Sequence, residues 1–392
     1  MRPRLALPGV LVAFWALLFA LPGAAVPPED LAFLGSPRAV APGVSLFRVS
    51  DPELLDPPAP LSAWVLRVDP AVAVLRPALA QGHIVGTETV ASIAARHGAV
   101  AAINAGFFLP NGDPSGILTL DGQLVSEARR PRGAVGIIAG DGGQRLVFGR
   151  LTARLALRIH DGRRAGRPVD IAGVDTTRLL GRLMLFTSAY YVHTDTAPGG
   201  LEWVIAGSPL RVVSGPHTGG KTAIPEGGFV LSFGGRQRPP ALRGLRVGGR
   251  VDLETTYDPA DGQEDWSRAQ HIVGGAGLLV REGRPVESWA IESFASGFAE
   301  LRHPRTMIGR SRDGDIWLAA VDGRQPGSSA GMTLPELRDF ARRLGLSNAL
   351  NLDGGGSTTM WVAGRVVNSP SDPAGPRPVS DALLVLSRAS GS

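Results

Sequence analysis

The sequence predicts an α+β fold: a β-rich single domain built on a mixed sheet, with a few short helices packed on it. Composition is the first ground. The 52 Gly and 32 Pro among 392 residues imply many turns and few long helices. Patterning is the second. Short apolar, β-branched runs recur along the chain and are bounded by turn dipeptides. Length is the third: 392 residues allow one large domain or two ordinary ones, and no Ser/Thr/Pro-rich linker divides the middle. At 44% hydrophobic and 19% charged, the chain is globular rather than disordered.

Residues 1–25 read as a signal peptide. Arg2 and Arg4 open it, Leu5 to Leu21 carries no charge, and Gly23-Ala24-Ala25 offers small residues for cleavage. Residues 26–43 are Pro- and Ala-rich and read as an extended lead-in, so the folded domain is expected over 44–388. Strands are expected at Val44 to Val49, Ala63 to Val68 and Val72 to Arg76. Thr87 to His97 reads as a short helix closed by Gly98, followed by a buried strand, Ala99 to Ile103. From about 117 to 290 strand and turn dominate, with hairpin signals at Asp121-Gly122, Asp141-Gly142 and Glu282-Gly283. Thr333-Leu334-Pro335-Glu336 is a capping box, and Leu334, Leu337, Phe340, Ala341 and Leu344 form one apolar stripe of a helix that must pack on the sheet. A hairpin around Ala363-Gly364 and a last strand, Ala382 to Leu386, complete the chain.

There is no cysteine, which excludes disulfides, thiolate zinc sites and thiol nucleophiles. Lys221 is the only lysine, so positive charge is carried by arginine, whose fork of donors suits phosphate and carboxylate. The net charge of +5, reduced by the loss of Arg2 and Arg4, is too mild for a nucleic-acid partner but suits an anionic substrate. No stretch after the signal is long and apolar enough to span a bilayer. The expected location is therefore secreted or periplasmic, without a stable membrane span after signal cleavage.

Asn351 to Thr359 (NLDGGGSTT) delivers a carboxylate, three residues without side chains and three hydroxyls at the end of a short strand. Bare glycine amides allow close approach of an anion. The order helix, Gly, strand, Asn, glycine turn occurs twice, at Gly98 to Asn104 and at Gly345 to Asn351. The two strands are therefore expected to end side by side and present both Asn-led turns to one cleft.

Asn104-Ala105-Gly106-Phe107-Phe108, Pro304-Arg305-Thr306-Met307-Ile308-Gly309, Asn351 to Thr359 and Arg377-Pro378-Val379-Ser380 together resemble the hallmark segments of the phosphodiester glycosidase family, in order and spacing, over about residues 40–388. The resemblance implies cleavage of a sugar's bond to a phosphodiester, with release of a phosphomonoester. The cysteines of animal members are absent. Asp381 stands where bacterial members often have Asn.

Glycosidic cleavage needs a carboxyl group that protonates the leaving oxygen, attacks, or activates water. Asp353 is the first candidate, as base or nucleophile, and Arg305 is the candidate for gripping the phosphate. Glu292, Glu127 and Asp381 are candidates for a second carboxylate, Glu292 standing thirteen residues before Arg305. His303 is a candidate proton donor. Gly354, Gly355 and Gly356, with Ser357 and Thr358, are candidates for a phosphate cradle, and Gly106 and Thr306 are further candidates for substrate binding. Asn104 and Asn351 either bond sugar hydroxyls or brace the turns, and Arg377 offers a second positive charge. Tyr190, Tyr191 and His193 are candidates for lining a site or for sheet packing. The expected substrate is a sugar-phosphodiester or anionic glycan of a cell-envelope polymer. No cofactor is expected. The alternatives are a metal-dependent phosphodiesterase, with Asp353 and Asp381 or Asp113 holding Ca²⁺ or Mg²⁺, and a non-catalytic module that binds an anionic polysaccharide.

Overall fold

The structure, a computed structural model, describes residues 31–388 apart from positions 163 and 263. The signal-peptide reading lies outside the described residues. Four antiparallel sheets carry the fold, and the single mixed sheet expected from the sequence is not formed. The one exception to antiparallel order among the named strands is the pairing of Gly173–Val174 with Leu183–Thr187. For strands adjacent in the chain, the physical reason lies in the connections. Parallel neighbours need a crossover of a dozen or more residues, usually a helix, whereas antiparallel neighbours need only a tight turn. The described residues hold two α-helices, α1 (Val90–Arg96) and α2 (Leu334–Arg343). Tight hairpins abound: Asp121-Gly122, Glu282-Gly283 and Ala363-Gly364 all have positive φ at both positions, which matches the right-handed strand twist.

The first sheet has eight strands and includes, in sequence of pairing, Ala63–Val68, Ile316–Val321, Arg305–Ser311, Leu346–Asn351 and Leu278–Arg281. The second is built around the 19-residue strand Gly143–Asp161, which pairs with both Arg132–Gly140 and Val251–Pro259. The third has five strands, from Gly173–Val174 to Arg211–His217. Tyr190 packs there, its ring 4.9 Å from that of Phe186. The fourth places Ala101–Asn104 between Met360–Val362 and Asp381–Ser387.

Helix α2 forms as its capping box predicts. The Thr333 hydroxyl accepts from the Glu336 N–H at 3.2 Å and the Glu336 carboxylate accepts from the Thr333 N–H at 2.8 Å. Its stripe of Leu334, Leu337, Phe340 and Ala341 is buried with Met307, Ala349 and Leu279 of the first sheet. The opposite face of that sheet contributes Ile308, Leu350 and Leu352 to a core shared with Ile103, Met360 and Leu383 of the fourth. These two sheets therefore pack together, and the loops that carry the candidate site emerge at their junction.

Candidate active site

The two Asn-led turns belong to different sheets, so their strands do not lie side by side as expected. They are nonetheless stitched together. Asn104 Nδ2 donates to the Asp353 carbonyl at 2.6 Å, and the Asp353 N–H donates to the Ala105 carbonyl at 2.9 Å. Asn104 Oδ1 accepts from the Thr306 hydroxyl at 2.8 Å and from the Thr359 N–H at 3.1 Å. The buried Thr358 hydroxyl lies 3.4 Å from that of Thr306. Asn351 is buried as well and donates to the Ala276 carbonyl at 2.7 Å. Asn104, Asn351, Thr306 and Thr358 thus occupy the interior and brace the turns, one of the two alternatives the sequence left open for the asparagines.

Two aspartates are attached to this brace. Asp353 is half-buried at the start of the glycine turn, while Asp381 is buried at the head of the last strand. Asp381 Oδ1 accepts from the Gly106 N–H at 3.0 Å and from the Ser380 hydroxyl at 3.1 Å. The Ala105–Gly106 peptide therefore accepts from the Asp353 main-chain N–H at its carbonyl and donates to the Asp381 carboxylate at its N–H. Burial pushes the Asp353 carboxyl up to about 6. The Ser357 hydroxyl, the Gly354 N–H and Arg377 pull it down, and the Asp381 charge adds to the rise. Burial pushes Asp381 up to about 6 as well, against the bonds from Gly106 and Ser380.

Positive charge reaches the turn from two loops. Arg377 holds Asp372 with a fork of 2.7 and 3.0 Å bonds. A Cβ placed on Gly356 would lie 2.2 Å from both Arg377 Nη2 and Asp372 Oδ1, so the pair rests directly on that bare Cα. Arg324, which the sequence reading missed, approaches the neighbouring Gly355, where a Cβ would stand 3.3 Å from both its terminal nitrogens. Arg324 Nη2 also lies 3.2 Å from His303 Nδ1. A guanidinium only donates, so Nδ1 accepts and the proton of the neutral ring sits on Nε2. Burial, reinforced by the charges of Arg305 and Arg324, holds His303 below its ordinary range. The available signal for Arg324 was its place in Asp322-Gly323-Arg324, a loop directly following the strand Ile316–Val321, since loops at strand ends carry function. Gln325 Nε2 ties this loop to the one bearing Arg377, donating to the Ser369 carbonyl at 2.6 Å.

Other residues singled out from the sequence lie elsewhere. Arg305 is 2% exposed, and its guanidinium donates to the carbonyls of Met332, Phe298 and Leu301 at 2.8, 2.7 and 3.1 Å. It also lies over the Phe298 ring, 5.2 Å from the centroid. Burial, with the Arg324 charge adding to it, lowers it to about 10. Strand alternation explains the orientation: Thr306 faces Asn104, so Arg305 must face the other way, with Met307 two residues on. The expected meeting of the Arg305 guanidinium with Asp353 is not among the ion pairs of the described residues. Glu292 is fully buried. Its carboxylate accepts from the N–H groups of Gly133, Gly277 and Leu278 at 3.0, 2.9 and 3.1 Å and from Arg150 Nε at 2.9 Å, the work of a structural clamp. Two of the three glycine amides are also occupied: Gly354 N–H by Asp353 Oδ1 and Gly355 N–H by the Pro304 carbonyl, each at 2.9 Å. No group of three or more potential metal-binding side chains occurs among the described residues.

Fold and site together define a β protein of antiparallel sheets with an acidic pair and two guanidinium groups gathered at one glycine turn. Residues 200–386 match the phosphodiester glycosidase family model, which supports that family for this chain. Over 194 residues it is 32% identical to mouse (Mus musculus) N-acetylglucosamine-1-phosphodiester alpha-N-acetylglucosaminidase, an alignment covering 45% of this chain and 35% of the mouse protein. The chain thus spans about a third of the length of that relative. A hypothetical protein from Synechocystis superposes with a TM-score of 0.72 at 26% identity, over 88% of this chain and 62% of that one. A Burkholderia pseudomallei K96243 protein described as exported superposes with a TM-score of 0.70 at 27% identity, over 83% of this chain and 74% of that one.

Proposed function

We propose that the protein is an exported hydrolase that cleaves the bond between a sugar and a phosphodiester in a glycan or cell-envelope polymer. The observation that carries this reading is the placing of Asp353 at the glycine turn, its main chain bonded to the same peptide that holds the Asp381 carboxylate, with Arg377 and Arg324 at Gly356 and Gly355. A phosphate leaving group departs readily and needs charge neutralisation more than a strong acid. Arg377 and Arg324 supply it, in place of the amide cradle and of Arg305. Asp353 has the accessible surface and is the base that activates water, or the nucleophile that attacks the anomeric carbon. Asp381 is a positioning residue: it fixes Gly106 and raises the Asp353 carboxyl. His303, neutral with Nε2–H free to donate, is available to the departing oxygen. The described helices include none long and apolar enough to cross a membrane. The resemblance to a protein described as exported supports secretion or a periplasmic location.

Hydrolysis of an N-acetylglucosamine phosphodiester in ¹⁸O-labelled water tests the reading. Cleavage at the anomeric carbon puts the label in the sugar and releases unlabelled phosphomonoester. Label in the phosphate would instead show attack at phosphorus, as in a phosphodiesterase, and loss of turnover on chelation would assign a divalent cation to the reaction.

A further inference from the structure

We propose that a basic pocket beside the Asp353–Asp381 pair binds a second oxyanion of the substrate, a phosphate or carboxylate one or more units from the bond that is cut. The proposal deepens the reading above and rests on it for the identity of the cleaved bond. The pocket has a volume of about 380 Å³ and is lined by Leu109, Ser115, Gly116, Arg130, Arg132 and Thr176, among others. That size falls in the range of small-ligand sites, roughly 300–1,000 Å³.

The pocket adjoins the acidic pair. Gly106, whose N–H holds Asp381, opens a hairpin in which the Ser115 N–H donates to the Phe107 carbonyl at 2.7 Å, and this hairpin forms one wall. Gly274 stands between: Cβ atoms placed on Gly106 and Gly116 would lie 3.6 Å from its carbonyl oxygen and 3.8 Å from its Cα. Gly274 is buried, so closely packed backbone joins the two places.

The charge in the pocket is unbalanced. Arg129 Nε is taken by Glu127 at 3.0 Å, and the other Glu127 oxygen accepts from the Val174 N–H at 3.0 Å. Asp113 accepts from the Thr176 hydroxyl at 2.7 Å, and burial, with the Glu127 charge adding to it, raises its carboxyl. Among the described residues, neither Arg130 nor Arg132 has a carboxylate within ion-pair distance. Two forked cations in a concavity, with the nearby acids already engaged, call for an anionic ligand.

Arg130→Ala/Arg132→Ala tests this in the full chain, with Arg130→Lys/Arg132→Lys and a thermal melt as controls for folding. The probes are a glycerol-phosphate oligomer and an oligogalacturonate, titrated calorimetrically. The parent is expected to bind at least one of them, with the double-alanine variant at least tenfold weaker and less sensitive to salt and the double-lysine variant in between. The probe bound more tightly names the oxyanion. On an N-acetylglucosamine phosphodiester without further charge, kcat/KM of the double-alanine variant should match the parent. Equal binding of the probes by parent and double-alanine variant overturns the subsite. If the parent binds through these arginines yet cleaves no sugar-phosphodiester, the subsite stands and the proposed reaction falls.

Discussion

Arg377 and Asp372 form a two-pronged ion pair that lies on the bare Cα of Gly356. Of the three consecutive glycines, this one has its place set by side chains rather than by backbone. Gly356→Ala should therefore displace the guanidinium while costing little stability, because the atoms its Cβ would meet are the ends of side chains. A fall in kcat/KM of about tenfold or more is expected, carried mainly by KM, with a melting temperature within a few degrees of the parent, since about 1.4 kcal/mol corresponds to a factor of ten. Unchanged kinetics would remove Arg377 from the site.

Asp381 should reveal itself through pH. Its folded-state carboxyl is raised to about 6 from an ordinary value of 3.8, so the native state binds the proton more tightly than the unfolded one. The stabilising effect of that proton is complete below about pH 4 and is lost as pH rises through 6. Asp381→Asn keeps an oxygen for the Gly106 N–H and removes the charge. The variant should be more stable than the parent at pH 7, by on the order of 2–3 kcal/mol, and nearly equal to it at pH 4. Its loss should also lower the Asp353 carboxyl, moving the acid limb of the kcat/KM profile to lower pH. A stability difference that stays constant with pH would rule out the buried charge.

Arg305 should behave as a structural residue. Arg305→Met takes a buried donor from the Phe298 and Leu301 carbonyls and is expected to cost roughly 2–4 kcal/mol of stability. Lysine should rescue poorly, because one ammonium cannot reproduce donors aimed at three carbonyls. Denaturant unfolding measures the loss. A variant of parental stability with a raised KM would return Arg305 to the phosphate.

Much of this arrangement was legible in the sequence. The glycine turn after a strand, the capped helix α2 and the convergence of the Asn104 and Asn351 turns were read from local pattern, which is dictated by backbone conformation and capping. The division into antiparallel sheets was not, because a strand's own residues do not name its neighbours. The inward turn of Arg305 was readable in principle: if Thr306 faces the Asn104 turn, period-2 alternation sends Arg305 to the face it shares with Met307. Glu292 carried no such signal, since its four donors come from Gly133, Arg150, Gly277 and Leu278, brought together only by the fold. Arg324 likewise gains its place from a loop conformation, with φ of 59°, that no motif announces.

The central claim is that Asp353 performs the chemistry. The most direct measurement is kcat for Asp353→Asn on an N-acetylglucosamine phosphodiester, with a thermal melt on the same preparation. Turnover about 10³-fold below the parent, from a variant at least as stable as the parent at pH 7, is the expected result. Turnover at the parental rate would contradict it.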